Sequence, residues 1–182
     1  KDDVVVSNNE KDDITTLRAD VVEIFFTRGN DGIEPLYINS SGNCQMASPK
    51  VTGNSDKLYF DFVSGHFSMV SERRSNLKYD KWKISSPKID GNHKTGEINC
   101  TQRSTIVSDE MRLESDTLYL RKDKNLTLSG AGNVRLAGKN ITARGSMISV
   151  AGDYFIISDE NAVRVESERW KIFTSRALIS PD

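Results

Sequence analysis

Two histidines, His66 and His93, and two cysteines, Cys44 and Cys100, are the residues of this chain best suited to catalysis or metal binding. Neither histidine lies in a recognisable serine or cysteine nucleophile motif, so general-base hydrolysis is not expected. The cysteines permit one disulfide in an oxidising compartment or two buried thiols. Their places at inward strand positions favour thiols, and neither has a second Cys or a His at zinc-ligand spacing. Gly130-Ala131-Gly132-Asn133-Val134 lacks the third glycine and following helix of a dinucleotide loop, and reads as a turn. The acidic groups at Ser108-Asp109-Glu110 and Ser158-Asp159-Glu160 read as polar turn caps, not as calcium ligands at defined spacing. No enzyme, metal or cofactor is expected. One cationic run remains, Glu72 to Lys83. Its Arg73 and Arg74 are candidates for phosphates of a glycolipid headgroup, or for nucleic acid with Tyr79 and Trp82 stacking on bases. The net charge of −1 gives no field for nucleic acid, and a solvated loop or twisted edge over 71–81 is the plainer reading.

These residues sit on a chain that reads as strands throughout. Hydrophobic residues make up 36% and charged residues 28%, a balance that suits strands with one wet face. No apolar run approaches the roughly 20 residues of a membrane helix. Residues 1–13 are acidic with few large apolar side chains, and are expected to form a loose leader before a single domain over 14–182. Without an initiator Met, the chain is expected to start after a removed leader or anchor. Leu17 to Phe26 reads as a strand whose alternation changes phase near Val21, as at a bulge. Period-two alternation then recurs to Trp170, giving roughly fourteen to sixteen short strands.

The alternation defines an inward set. In the first half it holds Ile38, Met46, Phe60, Phe62, Phe67, Met69, Trp82 and Ile84; in the second, Leu118, Leu120, Leu128, Val134, Leu136, Phe155 and Ile157. Two echoes organise these strands. Gly42-Asn43 lies 90 residues before Gly132-Asn133, and Ser48 to Asn54 returns as Ser86 to Asn92. Repeating units with one apolar side stack to bury it. Gly-Asn occurs at Gly29, Gly42, Gly53, Gly91 and Gly132, and is expected to supply the positive-φ residues of tight hairpins.

The pattern Leu17-x-Ala19-Asp20-x-Val22, then Gly132-Asn133-Val134-Arg135-Leu136 and Ile141-Thr142-Ala143, resembles the OstA-like repeat of lipopolysaccharide-transport proteins. Within that family the chain is most similar to the LptA type, with the LptC periplasmic domain and the LptD N-terminal domain as relatives. The resemblance implies an all-β, twisted open β-jelly roll whose apolar interior holds acyl chains and whose end strands pair with neighbouring jelly rolls. It implies lipopolysaccharide or a related glycolipid as partner, other Lpt-type jelly rolls or a second copy as neighbours, and a periplasmic location with outer membrane biogenesis in Gram-negative cells as the setting. The inward set would then line the lipid, although packing against itself is the default for such residues. The end strands 17–26 and 170–178 would be recognition edges, or ordinary edges guarded by Glu23, Arg28, Lys171 and Arg176. Three alternatives stay open: an anchored LptC-type relay, a ligand-free structural adaptor, and a β-helix carbohydrate-active enzyme. The last needs a regular rung, and offsets of 38 and 90 are not multiples of one.

Overall fold

The computed structural model describes residues 4–10, 13–29, 32–48, 51–122 and 126–180. Among them are fifteen strands and no helix. They are β1 (Val4–Glu10), β2 (Asp13–Ala19), β3 (Val21–Gly29), β4 (Gly32–Ala47), β5 (Val51–Asp61), β6 (His66–Tyr79), β7 (Trp82–Asn92) and β8 (Glu97–Cys100). β9 (Ser104–Val107), β10 (Arg112–Ser115), β11 (Thr117–Lys122), β12 (Leu126–Ala137), β13 (Thr142–Ala151), β14 (Tyr154–Glu166) and β15 (Lys171–Ile179) complete the chain. All pair antiparallel in one sheet, ordered β1-β2-β4-β5-β6-β7-β8-β11-β12-β13-β14-β15. β3 lies beside β4, and β9 and β10 bridge β7 to β12.

A straight sheet of this kind would leave its apolar face in water. Here the long strands are interrupted near their middles: between Ser41 and Cys44 in β4, Asn54 and Lys57 in β5, and Val70 and Ser75 in β6. The same happens between Ala131 and Val134, Arg144 and Met147, and Ser158 and Val163 in β12, β13 and β14. Strands β2 and β3, β8 and β9, and β10 and β11 are separated outright at the same level. Bulges bend strands, so a row of them folds the sheet over until its two halves bury their apolar faces on each other. Leu17, Leu77, Trp82, Leu113 and Leu136 from one half join Leu58, Met69, Leu120, Leu128 and Ile157 from the other in one core.

Each interruption leaves backbone groups without a ladder partner, which must be satisfied where water is excluded. Serine hydroxyls do this. Ser55, Ser86 and Ser115 are buried at the bends, and each Oγ donates to the carbonyl two residues on, Lys57, Lys88 and Thr117, at 2.8, 2.9 and 2.8 Å. The Ser71 hydroxyl accepts from the Asp56 N–H at 2.9 Å, and Ser104 donates to the Gln102 carbonyl.

Two corners are near copies. Asp20 follows β2 and its N–H donates to the Gly42 carbonyl at 2.8 Å; Asp116 follows β10 and its N–H donates to the Gly132 carbonyl at 2.9 Å. Gly42 and Asn43 have φ of 76° and 51°, and Gly132 and Asn133 of 74° and 46°. The asparagine amide returns to the aspartate in both, at 3.4 and 2.6 Å. The echo at 90 residues is therefore a structural repeat, but its Gly-Asn pairs make mid-strand bulges instead of the expected hairpins. Positive φ is tolerated there because Gly has no Cβ and Asn bonds locally. Gly53 and Gly91 lie within strands without positive φ and serve close approach: a Cβ on Gly91 would meet Phe67 Cζ at 2.3 Å. Asn30, after Gly29, is outside the described residues. The echo at Ser86 is not a structural copy, since Ser48 opens a hairpin whereas Ser86 sits at a bend.

Arg103 locks the second corner. Its guanidinium donates to Glu114 Oε2 at 3.1 Å, Asp116 Oδ1 at 3.3 Å and the Asn133 carbonyl at 2.8 Å, while Arg112 Nε takes Glu114 Oε1 at 2.8 Å. Burial pushes the Glu114 carboxyl upward, but Arg112 and Arg103 together outweigh it and hold it below its ordinary value of 4.5. A lowered folded-state pKa stabilises fully above the ordinary value and fades as pH falls through the folded one. Glu114→Gln is therefore expected to cost about 1 kcal/mol near neutral pH, with the difference from wild type shrinking as pH drops below about 4.5; urea midpoints across that range check it.

Two further expectations are corrected. Residues 4–10 of the supposed loose leader form β1, paired with β2 from Val4↔Ala19 to Glu10↔Asp13; the β-branched run Val4-Val5-Val6 supplies the propensity its acidic neighbours masked. Residues 1–3 and 11–12 of that leader are outside the described residues. The charged segment 71–81 is no loop: Ser71 to Tyr79 continues β6 through its bulge, and a two-residue turn at Asp80-Lys81 leads to Trp82.

Candidate functional site

Because every long strand crosses the bend, its turns fall on two rims. One rim carries the β4–β5, β6–β7, β9–β10, β12–β13 and β14–β15 connections; the other carries β3–β4, β5–β6, β7–β8, β11–β12 and β13–β14. Four connections of the first rim close alike, with Ser48, Ser108, Gly138 and Ser167 N–H donating to the carbonyls of Val51, Met111, Ile141 and Trp170. Between the rims, opposite the closed bend, the two halves meet along a seam.

The inward set falls on this frame with uneven burial. Ile38, Phe67, Met69, Trp82, Ile84, Leu118, Leu120, Leu128, Val134, Leu136, Phe155 and Ile157 are buried, and Met69, Leu120 and Ile157 are 0% exposed. These side chains pack against protein, and not at the centre of the roll alone: Trp82 pairs with Tyr79 beside a first-rim turn, and Phe67 and Phe155 are the second residues of strands that start at the second rim. Met46, Phe60 and Phe62 are only partly buried and belong to β4, β5 and the turn after β5, near the β3 end of the sheet; Met46 shares its ladder level with buried Leu77 and Ile84, and Phe60 with buried Phe67. They have companions that the sequence reading passed over as site residues: Val51, Tyr79 and Ile141 near the first rim, and Leu126 and Val150 near the second. On the second rim Phe60 packs edge-on to Phe62 at 5.1 Å and stacks on His93 at 5.2 Å. His93 thus belongs to an aromatic cluster.

The seam is unsealed at the ends of the sheet. Val22 and Ile24 on β3 and Ala177 on β15 share the inward phase but are partly buried, and Ile172, opposite buried Val165, is exposed. Among the described residues, β3 pairs only with β4 and β15 only with β14. The two expected end strands are therefore placed differently. Residues 171–178 are a free edge, whereas of 17–26 only the β3 portion is, since β1 covers Leu17 to Ala19.

Arg73 and Arg74 do not join the slot. They sit exposed on the β6 bulge at the closed side of the bend, with Arg74 Nη1 donating to the Ser85 carbonyl at 3.2 Å. Cys44 and Cys100 are buried free thiols. Burial raises both, Cys100 to about 11, so neither is a thiolate at neutral pH. No group of three metal-ligating side chains occurs among the described residues, and no helix there is long and apolar enough to cross a membrane.

No protein-family model matches the chain, and no curated protein matches it. Among solved structures it is similar to LptH, the LptA homologous periplasmic component of the conserved lipopolysaccharide transport device from Pseudomonas aeruginosa. The TM-score is 0.58 at 7% identity, over 69% of this chain and 94% of that one. The fold is the LptA-like β-jelly roll. An identity this low carries architecture alone; within that LptA-like frame, the bend, the two rims and the free edge strands are properties of this chain's own residues.

Proposed function

We propose that this protein is a non-enzymatic component of periplasmic lipopolysaccharide transport, or of transport of a related glycolipid, that shields acyl chains between its two sheet halves. The observation that carries this reading is the set of half-covered apolar side chains near the two rims, Val51, Tyr79, Ile141, Phe62, Leu126 and Val150 among them, joined on the edge strands by partly buried Val22, Ile24 and Ala177 and by exposed Ile172. An acyl chain of about ten methylenes withdrawn from water there gains about 8 kcal/mol gross, enough for micromolar capture after ordering costs. The centre is packed, so tails engage first at Met46, Phe60 and Phe62 and reach Leu128 and Leu120 only as the halves part. Methionines at 46 and 69 suit such repacking. The edges β3 and β15 would extend the slot into neighbouring jelly rolls by strand addition, bridging inner to outer membrane without an energy source of its own.

A photoreactive residue in place of Phe60, with Leu128 as the deeper probe, is expected to crosslink to added lipopolysaccharide, Phe60 more strongly. Labelling at neither position would sink the lipid reading. It would favour a ligand-free adaptor, for which the fully buried centre speaks; that reading predicts concentration-dependent oligomers and an occupied interior.

A further inference from the structure

On the outer face of the C-terminal half, three arginines stand side by side where β12, β13 and β14 leave their bends. Arg135 is the cross-strand partner of Arg144, and Arg144 of Arg164. The neighbours Val134, Ala143 and Val165 are buried in the core, so the arginines point away from the slot. With Arg103 they line a surface groove of about 420 Å³, whose wall beside Arg144 is Gly145.

Like charges directly opposed across strands are destabilising, by roughly 0.2–1 kcal/mol a pair, and the local acids relieve this row only at Arg164. Glu114 faces Arg135 in register, yet its two oxygens are taken by Arg103 and Arg112. Glu166 is shared between Arg164 and Lys171, at 2.6 and 3.1 Å. Asp159, also in the groove, accepts the Asn161 and Ala162 N–H groups through Oδ1. Among the described residues neither Arg135 nor Arg144 has an ion-pair partner, and the buried Arg164 Nε has no hydrogen-bond partner. Four cations and two acids thus line a groove on a chain whose net charge is −1.

We propose that this groove binds a phosphate group carried on a polar body the size of a sugar. Adjacent guanidinium forks match the oxygens of a tetrahedral dianion, which one lysine-like point charge does not. The groove exceeds the volume of phosphate alone, and its polar lining suits a saccharide better than an alkyl chain. Its place on the outer face separates the occupant from any acyl chain between the rims, so the proposal does not depend on the lipid reading.

The test follows the arginine Nε–Hε resonances of the full chain at about 0.15 M salt, where weak surface attraction is screened. The probes are inorganic phosphate, glucose 6-phosphate, a phosphorylated glycolipid in detergent micelles, and glucose as control. Selective shifts of Arg135, Arg144 and Arg164 with the phosphate compounds but not glucose are expected. Arg144→Gln should weaken binding at least about tenfold, while Arg176→Gln on β15 should not. Equal response to inorganic phosphate overturns the sugar-sized body and leaves a site for the phosphate group alone. A stronger response to the sugar phosphate assigns it to a soluble phosphosaccharide, and one strongest for the micellar probe to a lipid headgroup. Removing one of three apposed cations relieves repulsion, so Arg144→Gln should fold at least as stably as wild type, and Arg135→Gln is the second variant should it not. No arginine-selective shift at about 10 mM of any phosphate probe, or shifts unchanged in both variants, overturns the proposal.

Discussion

Leu120→Ala is expected to lower the unfolding free energy by about 2–5 kcal/mol, whereas Phe60→Ala should cost only about 1–2 kcal/mol and weaken lipid capture more. Leu120 is 0% exposed and stands in register between Ile98 on β8 and Leu128 on β11's other neighbour, β12. Truncation there opens a cavity walled by strands already committed to two ladders, which collapse poorly around it. Phe60 lies near a rim, only partly withdrawn from water, and part of its contact is with Phe62 and His93 at the surface. Urea unfolding and lipid crosslinking of the two variants, taken together, separate the packed centre from the capture rim. If both lose stability alike and lipid labelling follows stability, the distinction between core and rim is wrong.

That distinction also marks where the sequence stops being informative. Alternation placed Leu120, Met69 and Ile157 inward, because a strand with one covered face repeats its apolar residues every second position. It gave no depth: Phe60 and Leu120 share the same signal and, through Phe67, Gly91 and Ile98, the same level between turn and bend, and only the place of β11 in the middle of the sheet separates them. The bends were the least legible feature. Serine at Ser55, Ser86 and Ser115 is an ordinary turn residue by type, and nothing local shows that its hydroxyl replaces a ladder bond inside a strand. Gly42-Asn43 and Gly132-Asn133 carry the usual hairpin signal, yet the same positive φ values build a two-residue bulge that turns β4 and β12 through the corner. Reading them as hairpins divided sixteen-residue β4 into the short strands expected. The arginine row was invisible for a different reason. Arg135, Arg144 and Arg164 are scattered along the chain, and only the register of three strands brings them together.

A Phe173→Glu, Leu178→Glu double variant is expected to weaken end-to-end self-association about a hundredfold or more, by sedimentation across a concentration series, without lowering the stability of the isolated chain. β15 and β3 are both nine residues long, and among the described residues both are unpaired on their outer side. β15 leaves Phe173 and Leu178 66% and 62% exposed, β3 leaves Val21 and Phe26 exposed, and Ile33 is exposed at the start of β4. Soluble proteins ordinarily guard such edges with charge, short strands or cover. Here the guard is partial, since Lys171 is occupied by Glu166 within the chain. The two ends also match in layout. β15 spans both halves of the bent sheet, and at the other end β1 caps one half and β3 the other, so one β15 can meet both along its length. Two apolar side chains moved from water to such a contact supply roughly 3 kcal/mol, which is the hundredfold in question. Val63→Glu, an equally exposed apolar residue in the β5–β6 turn, is the control, and should leave association unchanged. Equal association of the double variant and wild type would show that the edges are passive, and would leave the slot closed at each end by solvent.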